Sequence, residues 1–154
     1  GPVPEHSRPG CVCPDCRATI LLDPHPTCPR CTSTVGPHVD LSAGCPRCRT
    51  ATFRFAGAVR LGPYDGKLRD AVLRMKSAAG EPLAETLGRL WADARGARLR
   101  AGDPQVIVPV PLHWRRRWGR GYNQSEAVAV GLAAGLGLPV RAGCLARVRP
   151  TPFQ

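Results

Sequence analysis

No stretch of this 154-residue sequence is apolar for long enough to cross a bilayer, which takes about 20 consecutive residues. The N-terminus carries no signal-peptide pattern. A cytoplasmic protein is the default expectation. Acids are scarce as well: 11 Asp and Glu face 22 Lys and Arg, a formal charge of +11. Only two of those cations are lysine. Large apolar side chains are few in the first fifty residues, which are rich in Pro and Gly. Such a segment buries little core of its own and draws folding energy from another source.

The shortage of acid is uneven. Residues 1–50 carry five Arg against four acids, and residues 51–105 carry ten Lys or Arg against six. Residues 106–154 carry seven Arg against the single acid Glu126, a net of +6. A composition rich in Arg, Ala, Gly and Pro accounts for part of the total, but it does not produce the clustering. Concentrated positive charge in the last third favours an anionic partner there: phosphate, nucleotide or nucleic acid.

What the first fifty residues do have is cysteine, seven of the eight in the chain. Three C-x-x-C pairs stand out: Cys13/Cys16, Cys28/Cys31 and Cys45/Cys48, with Cys11 just ahead of the first. Without an export signal, such a set reads as metal ligands rather than disulfides. A C-x-x-C turn brings two thiolates to one ion, and two such turns make a tetrahedral zinc site. Cys28/Cys31 with Cys45/Cys48 is the best match. Three pairs do not divide into complete sites, so Cys13/Cys16 needs other ligands. Cys11 and His6 are local candidates, a further pair upstream is another source, and pairing with Cys28/Cys31 is a third arrangement. His25 and His38 are spare candidates, although a lone loop histidine is more often simply solvated. Redox catalysis is disfavoured, because no thioredoxin-like βαβ pattern surrounds any pair. Lone Cys144 reads as a small buried apolar residue. One or two structural zinc ions would supply the folding energy that the segment lacks.

After Cys48 the pattern changes. Residues 52–64 alternate enough to predict a strand or hairpin. "KLRDAVLRMKSAAG" predicts an amphipathic helix ending near Gly80, with Leu68, Ala71, Val72 and Met75 on its core face. "EPLAETLGRLWADARGARL" predicts a second, with Pro82 in its first turn and Leu83, Leu87, Leu90 and Trp91 facing the core. "QVIVPVPL" reads as a buried strand of a parallel sheet, stopped by two prolines. The loop "HWRRRWGRGY" follows, then a helix capped by Asn123 or Ser125, with Val128, Leu132 and Leu136 on one face. Strand, arginine-rich loop, capped helix is an order that puts the arginines at the carboxyl edge of an open α/β sheet, where ligands bind.

Taken together, the cysteine pairs, "YDGKLRDAVLRMK", "VPVPLHWRRRWGRGYNQSEAVA" and "LARVRPTPFQ" resemble the ComF competence-protein family over almost the whole chain. The resemblance implies an α/β fold: an N-terminal zinc-ribbon module, double in the family, over residues 1–50, and the N-terminal part of a type I phosphoribosyltransferase-like domain over 51–154. Three of the family's four C-x-x-C pairs are present. In competence systems the resemblance implies a part in DNA uptake and competence-machinery proteins as partners. It also implies a phosphoribosyl pyrophosphate site built from paired acids and a Thr/Gly-rich loop. No such stretch occurs in these residues, so the expectation is a fragment without transferase activity of its own.

The arginine stretch then has two functional readings and one structural one. Arg115, Arg116, Arg117 and Arg120 would neutralise the oxyanions of a transferase pocket, with Asn123 and Gln124 near a base or ribose. Alternatively the arginines track the phosphates of single-stranded DNA while Trp114, Trp118 or Tyr122 stack on bases. The structural reading has the tryptophans anchoring the loop, the arginines solvated and Asn123 simply capping the next helix.

Overall fold

A computed structural model describes residues 11–149, apart from the side chains of Arg115, Arg116 and Arg120. Among the described residues there are six α-helices: α1 (Pro14–Leu21), α2 (Pro46–Thr50), α3 (Gly66–Arg74), α4 (Glu81–Arg100), α5 (Trp114–Arg120) and α6 (Gln124–Leu136). Two of them grow directly out of C-x-x-C pairs. In α1 and α2 the proline after the first cysteine occupies the first turn, where no N–H is required, and Cys13 or Cys45 stands at the N-cap. No described helix is long and apolar enough to cross a membrane.

The main core gathers Ile20 of α1, Leu61 ahead of α3, Leu68 and Ala71 of α3, and Leu87 and Leu90 of α4, with Val72, Met75, Leu83 and Trp91 packed against it. The helical faces expected of α3 and α4 are therefore the faces that bury. Ile20, only 3% exposed, brings the cysteine-rich segment into the same core. Gly62 passes so close to α1 that a β-carbon there would lie 2.3 Å from the Ile20 carbonyl oxygen.

Helices α4 and α6 lie side by side with their numbering rising together. Gly131 meets the backbone of Glu85 and Arg89, Gly88 meets Val128 and Leu132, and Gly135 meets Ala92. Buried Ala84, Ala92, Ala127 and Ala129 complete this small-residue seam. Asn123 caps α6, its side-chain oxygen accepting the Ser125 N–H at 3.3 Å. Gly137 ends it in the left-handed region (φ 71°), a position that glycine takes without cost.

Several expectations need correction. Residues 52–64 form neither strand nor hairpin. Their alternation serves side chains instead: Phe53 and Phe55 stack on each other at 4.8 Å, and the Ala58 N–H donates to the Arg30 carbonyl at 2.7 Å. Helix α3 stops at Arg74 rather than near Gly80. The chain tightens there, with the Lys76 and Ser77 N–H groups donating to Leu73 and Arg74, and Gly80 instead lets the chain fold back against Met75. Among the described residues, the strand expected at 105–112 pairs only through one parallel bridge, Ile107 with Val140. Pro109, Pro111 and Pro139 withhold the N–H groups that a longer ladder needs. The arginine segment 114–120 is helical, not a loop. Arginine is a good helix former, and nothing breaks the helix between Pro111 and Gly121, whose φ is +80°. Cys144 is exposed in a 3-10 turn rather than buried.

Among the described residues the sheet expected of an α/β domain is not formed, and a single bridge stands in its place. That bridge is nonetheless parallel, and α5 and α6 lie between its two halves, which is the order of a strand–helix–strand crossover.

Candidate metal centre and the arginine–tryptophan helix

Residues 26–35 form a tight loop around the first knuckle. Thr27 bridges Thr34 antiparallel, the Cys28 N–H donates to Ser33, and the Thr32 N–H returns to the Cys28 carbonyl at 3.0 Å. This turn drives Thr32 to φ 58°, a left-handed conformation that a β-branched residue seldom adopts. The second knuckle opens α2. The turn brings Cys28 and Cys31 against Cys45 and Cys48, and the four sulfurs lie within 4.8 Å of one another. Cys28 and Cys48 are 3.8 Å apart, and Cys31 and Cys45 are 3.5 Å apart. A tetrahedron with metal–sulfur bonds of about 2.3 Å has sulfur–sulfur edges of about 3.8 Å. The donor set therefore fits a dication such as zinc, and it settles which pairs combine.

Electrostatics agrees. The N–H groups of Cys31, Arg30 and Cys45 aim at Cys28 and pull its thiol from 9.0 to about 6. Ser33, through hydroxyl and N–H, lowers Cys31 as well. Burial and the neighbouring sulfurs push Cys48 up to about 12. Four crowded thiols cannot all ionise by themselves; a dication at their centre removes that conflict.

Long-range arginines lock this loop to the rest of the fold. Arg60 makes a two-pronged ion pair with Asp23, at 2.9 and 2.7 Å, and also donates to the Thr32 carbonyl. Arg98 of α4 donates to the Pro29 carbonyl inside the knuckle at 2.7 Å, and Arg95 reaches Leu21 and Leu61. The sequence gives no sign of these clamps, whose partners lie 28 to 74 residues away.

Cys13 and Cys16 are half-buried and Cys11 is exposed. Among the described residues they join no group of three or more ligands. Cys13 caps α1, accepting the Cys16 N–H at 3.4 Å, which lowers its thiol. His6 lies outside the described residues. Cys144 stands far along the chain, exposed, and takes no part in the tetrad.

In α5, Trp114 is 59% exposed and Trp118 is 83% exposed. Four residues apart, they share one face of the helix, and neither anchors the segment by burial. Arg117 is exposed beside them. Arg115, Arg116 and Arg120 belong to the same helix, their side chains lying outside the described part. Asn123 and Gln124 are buried. Asn123 spends its amide on the Val110 carbonyl and on capping α6, so the fold rather than the surface uses it. Tyr122 is buried too, its hydroxyl donating to the Met75 carbonyl, and offers no stacking face.

A cysteine tetrad on two C-P-R-C turns able to hold a metal ion, joined to a helical core that carries an arginine–tryptophan helix, defines a class of protein with a metal-ligating cysteine cluster. Comparison with known proteins narrows this. The chain is 34% identical over 130 residues to the DNA utilization protein YhgH of Salmonella typhi, covering 82% of this chain and 56% of that protein. It is 31% identical over 157 residues to the protein of the same name from Salmonella typhimurium, covering 93% and 69%. Competence protein F of Haemophilus influenzae is 28% identical over 146 residues, covering 93% and 62%. The chain belongs to the ComF family. It spans between 56% and 69% of the length of these relatives. No family model matches the chain, and no solved structure matches it.

Proposed function

We propose that this protein handles DNA in uptake or competence, and that α5 is where it meets a single strand or a nucleotide phosphate. The names of the relatives support the setting. One observation carries the contact: two exposed tryptophans, Trp114 and Trp118, share a face of a helix that also holds Arg115, Arg116, Arg117 and Arg120. Large aromatic faces in water on an arginine-rich helix suit unstacked bases and their phosphates. The cysteine tetrad is structural in this reading, because four sulfurs fill every position of a tetrahedral ion and leave none for water or substrate. In this reading residues 1–50 make up a zinc-ribbon module holding one or two ions, with Cys11, Cys13 and Cys16 as candidate ligands of the second.

Titration with a single-stranded oligonucleotide tests the contact. Neutralising four phosphates gives a slope of about −3 in log affinity against log salt. Replacing Trp114 and Trp118 by Ala costs about 1–3 kcal/mol for each base that stacks. Binding that is absent at low salt, or indifferent to salt, removes the reading.

A second reading keeps residues 51–154 as the front of a phosphoribosyltransferase-like domain, with phosphoribosyl pyrophosphate as ligand. The parallel Ile107–Val140 bridge spanning α5 and α6 favours it, since such crossovers build open α/β sheets. Pyrophosphate release from phosphoribosyl pyrophosphate, lost when Arg115, Arg116 and Arg117 become Ala, is its test.

A further inference from the structure

Just past the second knuckle the chain reads "RTATFRF", positions 49–55, cationic and aromatic by turns, and no acid occurs between residues 41 and 64. Both C-P-R-C turns hold this segment. The Arg30 guanidinium of the first donates to the Phe53 carbonyl at 3.2 Å. The Arg47 guanidinium of the second lies over the Phe53 ring, 5.7 Å from its centre. Phe55 stacks on Phe53 in turn, with 4.8 Å between ring centres and 28° between planes. Of the two rings Phe55 is the more open, 40% exposed.

The chain has three phenylalanines in all and places two of them here, where neither joins the main core. Apolar rings stacked at the surface mark a place where another flat face can land. The charge around them is mostly of one sign. Arg30, Arg47, Arg49 and Arg54 are all exposed. Asp40, the acid within reach of the Arg49 charge, accepts the Ser42 N–H and hydroxyl on its two carboxylate oxygens, at 2.9 and 2.8 Å. A metal-closed tetrad adds about two negative charges, which the four guanidinium groups outweigh.

These features select the partner. A duplex keeps its base faces covered by their neighbours, and an acidic peptide would use the arginines but not the ring. A single-stranded nucleic acid brings both open base faces and phosphates. We propose that Phe55 is a stacking platform for one unpaired base, and that Arg49 and Arg54 neutralise the phosphates beside it. This second contact lies on the metal-binding module and shares no residue with α5. It rests on the reading that this protein handles DNA, and it can fail while the α5 contact stands.

Photocrosslinking on the intact chain tests it. The zinc-loaded 154-residue protein is irradiated with a single-stranded oligonucleotide carrying iodouracil, and the crosslinked peptides are identified by mass spectrometry. Attachment at Phe55 is expected, besides any at Trp114 or Trp118. Phe55→Ala weakens binding of the same strand about 5- to 150-fold, the loss expected for one stacked base, while Phe55→Tyr binds like the parent. An abasic strand binds the parent and Phe55→Ala alike. Crosslinks confined to Trp114 and Trp118 sink the proposal and leave α5 as the contact; because they are read on the parent protein, a folding defect in Phe55→Ala does not obscure them. No crosslink and no affinity at low salt remove the DNA reading together with the proposal. If polyglutamate suppresses the Phe55 crosslink as well as an unlabelled strand does at equal charge, the patch binds acid rather than bases and the proposal falls.

Discussion

Replacing Gly131 by alanine puts the closest approach in the fold under strain. A β-carbon at Gly131 would sit 1.9 Å from the Glu85 carbonyl oxygen and 3.0 Å from the Arg89 nitrogen. Side-chain β-carbons are essentially never found within 3.0 Å of another heavy atom, so α4 and α6 must part by about 1 Å. The obstruction is backbone, and no rotamer change relieves it. Overpacking of this kind costs about 1–3 kcal/mol and sometimes more, while alanine returns at most about 1 kcal/mol of helix propensity. A net loss of about 2 kcal/mol follows, lowering the melting temperature by about 4–8 °C for a chain of this size. Gly119 in α5 is the control, since a β-carbon there meets nothing within 4 Å. Gly119→Ala gains up to about 0.5–1 kcal/mol. Thermal or urea unfolding of the two variants, followed by circular dichroism, reads the difference in sign. If Gly131→Ala melts at or above the parent, the α4–α6 seam is not as close as described and the packing argument fails.

Two further outcomes concern the knuckle. Because backbone N–H groups hold the Cys28 thiol at about 6, the metal-free tetrad carries more thiolate at about pH 8 than at about pH 5. Zinc loading therefore releases more protons per ion at about pH 5 than at about pH 8, which titration calorimetry in buffers of different ionisation enthalpy measures; release that does not vary with pH contradicts the hydrogen-bonding pattern around Cys28. Thr32→Gly relieves a left-handed β-branched residue, worth about 1–2 kcal/mol, against about 0.5–1 kcal/mol of added chain entropy in the unfolded state. The zinc-loaded variant is expected to unfold at equal or slightly higher denaturant, and a clear loss would mean that the Thr32 side chain supports the knuckle.

Features that depend on neighbours in the chain were readable without coordinates. The C-P-R-C turns announce metal ligands because two thiolates three residues apart already converge. The stripes through Leu68 and Ala71, and through Leu87 and Leu90, announce buried faces because helical period alone puts them together. Asn123 as a cap is likewise local. The arginine segment reads as a loop because its like charges are crowded, yet it is a run of good helix formers between a proline and a left-handed glycine. Tyr122 looked like a stacking face because nothing nearby in sequence reveals the Met75 carbonyl, 47 residues away, that takes its hydroxyl.

Cysteine spacing, helical stripes and the charge gradient belong to the sequence itself, and they determined a metal-binding front segment, two amphipathic helices and a cationic final third. Tertiary structure decided among the open cysteine pairings in favour of the best match, Cys28/Cys31 with Cys45/Cys48, and it alone shows that Arg98 of α4 ties down the knuckle, that Arg60 pairs with Asp23, and that glycines 88 and 131 let two helices nearly touch. The physical reason is range. Thiolate pairs, caps and amphipathic faces act over one or two turns of chain, whereas ion pairs, backbone clashes and strand edges are satisfied or left open only by what folding brings alongside.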